Sequence, residues 1–317
     1  MTQPIAPRLI AISTIPPDLK AALEAKYGLA DYAALGGGPG HPVPAPGYTV
    51  AVTMGVFGID AAQFAALPDL KLVACNGAGL DRIDLAEARR RGVAVCHTPD
   101  ELADDVADGA IGLVYALLRR IVAADRFVRE GRWLKERPAA STRLAGKTLG
   151  VVGLGRIGSR IARRAEANGM AVKYHGRRPQ PDAPWPFVAD VGALAAEVDV
   201  LVLACPGGEA TRNLVSRSVI ERLGPKGYLV NVARGSVVDE AALLDALEAK
   251  AIAGAALDVF ATEPDIDPRF LALDNVVLQP HSASITNETR AAMVKRLISD
   301  IDAFLNGRPF FNAAAAA

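Results

Sequence analysis

At 317 residues the chain is long enough for two domains of ordinary size, and a hydrophobic content of 51% lets each bury a core, so the chain need not be disordered. Its 35 Lys and Arg balance 35 Asp and Glu, so no bulk field draws it to nucleic acid or to an anionic membrane. Cys75, Cys96 and Cys205 all sit in apolar runs with neither metal nor disulfide spacing, and they read as buried thiols in a reducing compartment.

Residues 1–7 lack a basic region followed by an apolar stretch, and no apolar run reaches membrane-spanning length, so a cytoplasmic location is expected. Arg8 to Ser13 reads as a first strand. Pro16-Pro17-Asp18 then opens a helix to about Tyr27, with Leu19, Leu23 and Tyr27 on one face. Residues 36–47 carry too many Gly and Pro for regular structure and read as a loop. Strands follow at 48–53, 70–75 and 93–97, with helices at 60–67 and 84–91 between them. This alternation implies parallel βαβ units, so the first hundred residues form a small α/β domain. From Pro99 a helical pattern continues to about Glu130. Ala110, Leu113, Val114, Leu117, Leu118 and Ile121 make a wide apolar face, and the length suits a bridge between domains or a dimer-forming element.

The next stretch, Thr148 to Ile161, organises the rest. Leu149 to Val152 has the length and β-branched content of a buried parallel strand. Gly153-x-Gly155-x-x-Gly158 follows, and Ile157, Ile161, Ala162 and Ala165 then recur at helical spacing. In this strand–turn–helix context the first glycine makes the turn and the second lets the backbone approach a pyrophosphate. The third lets helix and strand pack closely, while the helix N-terminus, with Arg156 and Ile157 in its first turn, faces the anion. Strands at 149–153, 171–175, 199–204, 228–232, 253–257 and 276–279 complete a dinucleotide-binding domain. At the end of its second strand no acid occurs between Asn168 and Pro181 to accept a ribose 2′-hydroxyl; Arg177 and Arg178 stand there instead. Two guanidinium forks suit a 2′-phosphate, so NADP(H) is expected over NAD(H). A final helix, 285–306, is expected to return to the first domain, and Ala313 to Ala317 reads as a frayed, low-complexity tail without function.

Three charged residues fall at C-terminal strand ends, where open α/β sheets bind ligands: Arg234, Glu263 and His281. Reduction of a carbonyl next to a carboxylate needs a proton donor, a cation for the carboxylate and a group that tunes the donor. His281 suits the first task, Arg234 the second, and Glu263 can hold His281 in one tautomer and favour its charged form.

With these residues in place, the chain resembles the D-2-hydroxyacid dehydrogenases, and most of all their glyoxylate/hydroxypyruvate and hydroxyphenylpyruvate reductase branch. The resemblance runs from about residue 50 to 310. It rests on Gly77-Ala-Gly-Leu-Asp-Arg-Ile-Asp84, Thr98-Pro-Asp-Glu-Leu-Ala-Asp-Asp-Val-Ala-Asp108, the glycine motif, Val232-Ala-Arg-Gly235, Ala256-Leu-Asp-Val-Phe260 with Glu263-Pro264, and Pro280-His281. It implies that Arg234, Glu263 and His281 are catalytic and that Asp258 meets the nicotinamide carboxamide. Backbone amides around Ala78 and Gly79 would bind the substrate carboxylate with Arg234, His281 would meet the substrate at its carbonyl oxygen, and Cys205, Pro206, Thr211 and Val232 would line the cofactor. No metal is expected. The implied architecture is two doubly wound parallel-sheet domains, Rossmann- and flavodoxin-like, joined by long linking helices. Residues 1–98 with 286–317 would bind substrate and 99–285 the dinucleotide. The domains would close over substrate, and the long helix would help build a homodimer. The expected reaction is reduction of a 2-oxo acid, glyoxylate/hydroxypyruvate or an aryl pyruvate, to the D-2-hydroxy acid. A phosphoglycerate-dehydrogenase-like enzyme is the nearest alternative, although no room is expected for an added regulatory domain. A nucleotide-sensing corepressor is a non-enzymatic alternative, which the lack of basic tails disfavours. Met54-Gly55-Val56-Phe57 and Leu80 are expected to line the pocket, without selecting one 2-oxo acid.

Overall fold

A computed structural model describes residues 8–38 and 40–316; residues 1–7, with the targeting expectation they carry, Pro39 and Ala317 lie outside them. The chain divides into two compact units, Met1–Leu102 with Thr286–Ala317, and Ala103–Ile285. No helix among the described residues is long and apolar enough to cross a membrane.

In the first unit, β1 (Leu9–Ala11), α1 (Pro17–Tyr27), β2 (Leu29–Asp31), β3 (Val50–Met54), α2 (Ala61–Ala66), β4 (Leu72–Asn76), α3 (Leu85–Arg90) and β5 (Ala94–His97) follow in order. The sheet is parallel, ordered β2-β1-β3-β4-β5. Alternate residues feed two cores. Ile10, Ala51, Val73, Cys75 and Val95 enter one, and Leu9, Val50, Val52, Leu72, Ala74 and Cys96 the other, which is why these strands read as continuous apolar runs. Asp60 and Gln63 form a reciprocal capping box on α2, and Asp84 caps α3 through the Glu87 amide at 2.9 Å. The edge strand β2 was not expected. It is three residues long, too short for a periodic pattern to register.

The second unit holds α4 (Ala103–Leu118), α5 (Ile121–Arg129), β6 (Thr148–Val152), α6 (Arg156–Ala167), β7 (Ala171–His175), α7 (Val191–Ala196) and β8 (Val200–Leu203). It continues through α8 (Arg217–Leu223), β9 (Tyr228–Asn231), α9 (Glu240–Glu248), β10 (Gly254–Leu257), α10 (Arg269–Ala272) and β11 (Val276–Leu278). Its parallel sheet runs β7-β6-β8-β9-β10-β11, so the strand order reverses between β6 and β8, beside the glycine turn. A single bridge from Tyr174 to Phe187 extends it beyond β7.

The long helix expected from Pro99 to Glu130 is corrected to two. The segment 99–102 is a turn, and the chain breaks at Arg120, which takes a left-handed φ of 54°. The apolar spacing continues across the break, so the sequence pattern does not register it. The α4 helix lies along α6, joined by ion pairs of Arg160 with Asp104 and of Arg164 with Asp104 and Asp108.

The chain then returns to the first unit as α11 (Asn287–Leu305), whose Leu297 and Ile301 are fully buried in the core that holds Leu9 and Val50. The alanine tail is a second correction. It is not frayed: α12 (Ala313–Ala316) forms, with Ala313 and Ala314 buried in the core of Ile10 and Val95. The small side chains of Ala313 and Ala314 let it lie close against α3 and β5. A contact made through smallness carries no hydrophobic periodicity to read.

Candidate active site

The glycine motif folds as its spacing requires. Gly153 has a left-handed φ of 94°, and a Cβ there would meet the Cys205 Cα at 2.7 Å; one at Gly158 would meet the Gly153 carbonyl oxygen at 2.0 Å. A Cβ at Gly155 would meet nothing within 4 Å. Two glycines are thus demanded by packing, whereas the middle one keeps open space in front of the turn. Gly155 is also the N-cap of α6 and, having no side chain, puts no acceptor of its own over the first turn of the helix. Open space before a helix N-terminus fits a pyrophosphate.

Arg177 and Arg178 follow β7 and are exposed. Their loop is anchored on both sides: Gln180 donates from Nε2 to the Leu154 carbonyl at 3.0 Å, and its amide donates to the Tyr174 hydroxyl at 2.8 Å. After β8, the Thr211 hydroxyl donates to the Pro206 carbonyl at 2.7 Å and closes the 206–211 loop. Cys205 is buried, and burial pushes its thiol up to about 11, so it is an unreactive packing residue beside the turn. Val232, at the end of β9, is also buried.

The charged residues meet at the ends of β9, β10 and β11. His281 Nδ1 lies 2.8 Å from Glu263 Oε2, and Glu263 Oε1 accepts the Phe260 amide at 2.8 Å. Burial pushes the Glu263 carboxyl up. The hydrogen bonds from His281 and the Phe260 amide, with the charges of His281 and Arg234, outweigh that and hold it below the ordinary glutamate value. A carboxylate only accepts, so Nδ1 carries a hydrogen and Nε2 is the atom that can exchange a proton.

The backbone around these side chains is strained and closely packed. His281 has φ 52°, an uncommon conformation for a residue with a Cβ. Its amide donates to the Asp258 carbonyl at 2.9 Å, and the buried Asp258 carboxylate accepts the amides of Ser282 at 2.7 Å and Ala283 at 3.2 Å. Burial pushes the Asp258 carboxyl up, against the pull of those two amides and the charge of His281. Arg234 is brought near Glu263 because Gly235 packs on the chain ahead of it: a Cβ on Gly235 would lie 1.9 Å from the Phe260 carbonyl. Sequence reasoning missed three supports. Asn231 bonds both the Arg234 carbonyl and the Ala233 amide at 3.0 Å, Glu240 accepts the Ala261 amide at 2.8 Å, and Gly109 of α4 lets the helix touch Ala283. Only Asn231 left a signal, a polar residue ending an apolar strand.

In the first unit, the loop after β4 holds Ala78 and Gly79. Their backbone N–H groups have no hydrogen-bond acceptor among the described residues. Of the residues expected to line a pocket, Val56 and Phe57 are exposed, at 36% and 43%. Cavities of about 330 Å³ around Ser13, Lys20 and Asp31, and about 270 Å³ around Arg120, Arg126 and Tyr228, include none of the expected site residues.

Residues 111–283 match the family described as "D-isomer specific 2-hydroxyacid dehydrogenase, NAD binding domain". The chain is 42% identical over 302 residues to a 2-ketogluconate reductase of Gluconobacter oxydans, covering 95% of this chain and 96% of that one. It is 45% identical over 251 residues to a glyoxylate/hydroxypyruvate reductase of Arabidopsis thaliana, covering 79% and 80%. Its structure resembles an NADPH-dependent glyoxylate/hydroxypyruvate reductase of Sinorhizobium meliloti solved with NADP and malonate, with a TM-score of 0.87, 37% identity, and 95% and 94% of the two chains covered. The chain therefore belongs to the D-isomer-specific 2-hydroxyacid dehydrogenases, oxidoreductases with a Rossmann NAD(P)-binding domain.

Proposed function

We propose that this dehydrogenase reduces a small 2-oxo acid to its D-2-hydroxy acid with NADPH. The observation that carries this is the His281–Glu263 pair at 2.8 Å, at the edge of the sheet that bears the glycine turn. The nicotinamide dinucleotide supplies the hydride when bound. Gly153, Gly155 and Gly158 cradle its pyrophosphate, Arg177 and Arg178 take its 2′-phosphate, and Cys205, Pro206, Thr211, Val232 and Asp258 line its path. Arg234 and the amides of Ala78 and Gly79 take the substrate carboxylate. Nε2 of protonated His281 gives its proton to the developing alkoxide, and Glu263 holds the imidazolium. The first unit is thus the substrate-binding domain.

Glyoxylate and hydroxypyruvate are the substrates we favour. Identity to the Gluconobacter enzyme over nearly the whole chain supports a second reading, a 2-keto sugar acid. Initial rates with NADPH and NADH on glyoxylate, hydroxypyruvate, hydroxyphenylpyruvate and 2-ketogluconate separate the two, and NADPH binding without any turnover overturns both. Arg177→Ala with Arg178→Ala should cut the NADPH/NADH ratio of kcat/KM by at least ~10-fold, since each charge-assisted hydrogen bond contributes about 1.5–3 kcal/mol. An unchanged ratio removes the arginines from the site. We further propose a cytoplasmic homodimer formed through α5 and the residues after it, where Ile121, Val122, Val128, Trp133 and Leu134 are exposed.

A further inference from the structure

The tail that follows α11 reaches the loop of Ala78 and Gly79 through a short chain of contacts within the first unit. Asn312 Oδ1 accepts the Val95 amide at 3.0 Å, on the outer side of the edge strand β5, and the Ala314 amide at 3.1 Å. Arg89 Nε donates to the Ala314 carbonyl at 3.0 Å. These bonds seat Phe311, whose ring centroid lies 5.6 Å from that of His97 at an interplanar angle of 34°. His97 ends β5, and its Nδ1 lies 3.0 Å from the Ala78 carbonyl oxygen. A carbonyl only accepts, so Nδ1 is the donor. The next residue acts in the same way, for the Thr98 amide donates to the Gly77 carbonyl at 3.0 Å.

Peptide planarity turns these two bonds into aiming devices. The Ala78 carbonyl and the Gly79 N–H belong to one rigid plane and point in opposite directions. The bond from His97 to that oxygen therefore sets the direction of the Gly79 N–H. The Gly77 carbonyl shares its plane with the Ala78 N–H, which the Thr98 amide sets in turn. Neither Ala78 N–H nor Gly79 N–H has an acceptor among the described residues, so both are aimed without being consumed.

We propose that His97 is a positioning residue for the substrate carboxylate, and that the tail segment 311–314 is the clamp that holds its ring in place. This rests on the reading of the Ala78 and Gly79 amides as the carboxylate site. Freed of Phe311, the imidazole turns about its side-chain bonds, the Ala78–Gly79 plane loses its tether, and the two N–H groups no longer converge.

The test uses point variants in the full-length chain, each checked for thermal stability and NADPH binding. Phe311→Ala and His97→Ala should raise KM for glyoxylate by roughly 3- to 10-fold, the range one net hydrogen bond spans, with kcat near wild type. Phe311→Tyr keeps the ring, and Asn312→Asp keeps the acceptor for both amides, so both should hold KM near the wild-type value, whereas Asn312→Ala should not. Hydrogen–deuterium exchange over residues 76–80 gives a readout free of turnover, and Phe311→Ala should speed it. Unchanged exchange with unchanged KM overturns the proposal, as does equal damage from Phe311→Tyr and Phe311→Ala. If the wild-type enzyme reduces no 2-oxo acid, the reaction reading fails, and exchange alone then decides the positioning role.

Discussion

His281 occupies a backbone conformation that costs about 1–3 kcal/mol for a residue with a side chain, and its neighbours offset that cost. The Asp258 carboxylate gathers the two amides that follow His281, and Asp258 gives its carbonyl to the His281 amide. The strain directs the ring at Glu263, where one carboxylate oxygen meets Nδ1 and the other is fixed by the Phe260 amide. Replacing His281 with Ala should lower kcat at least ~100-fold, the low end of general acid–base contributions; rates near wild type would remove it as proton donor. Glu263 offers a pH test. Its folded carboxyl is held below the ordinary value, so the charge opposite His281 persists as pH falls until that lowered value is crossed. Glu263→Gln removes the titrating carboxylate, so the acid limb of kcat/KM that Glu263 protonation sets should disappear from the profile. A pH profile of kcat/KM with the limb unmoved would separate Glu263 from the proton donor. At this scale the sequence was informative, because Arg234, Glu263 and His281 are chemical types at strand ends. It was silent on Glu240 and Gly109, whose relevance comes from neighbours remote in the chain.

At the scale of elements, the second unit brings α4 against the turn that carries His281. A Cβ on Gly109 would lie 3.2 Å from the Ala283 Cβ and 3.3 Å from its backbone, so the fit tolerates no added methyl without movement. Gly109→Ala sets about 1–3 kcal/mol of overpacking against about 1 kcal/mol of gained helix propensity, and should displace the His281 turn rather than the glycine turn. The expected result is a lower melting temperature with kcat reduced more than NADPH affinity, read by thermal melts and initial rates. Equal loss of both would point to general unfolding. Strands and several helices were legible, since buried parallel strands are continuous apolar runs and the capped helices of the first unit begin at Asp60 and Asp84. The break at Arg120 was not. A left-handed residue between two helices of matching period leaves the pattern intact.

For the whole molecule, the exposed apolar residues of α5 and its continuation are the strongest sign of assembly. Leu134 is 90% exposed and Trp133 56%, and this apolar surface beside Ile121 and Val128 is where the proposed homodimer would form. Trp133→Asp with Leu134→Asp should convert a dimer into a monomer in sedimentation equilibrium without lowering helix content; a wild-type monomer would remove the premise. The sequence alone determined the fold class, the dinucleotide turn and the chemical types of the reacting residues, because each depends on local spacing: apolar runs for strands, glycines for a close turn, charges at strand ends. Tertiary structure alone decided that His281 faces Glu263, that Gly235 admits no side chain and that Gly109 packs tightly on Ala283. It also decided that an alanine tail without periodicity docks on β5. Those facts depend on which distant segments meet, and side-chain smallness and hydrogen-bond partners far apart in the chain leave no periodic trace in sequence.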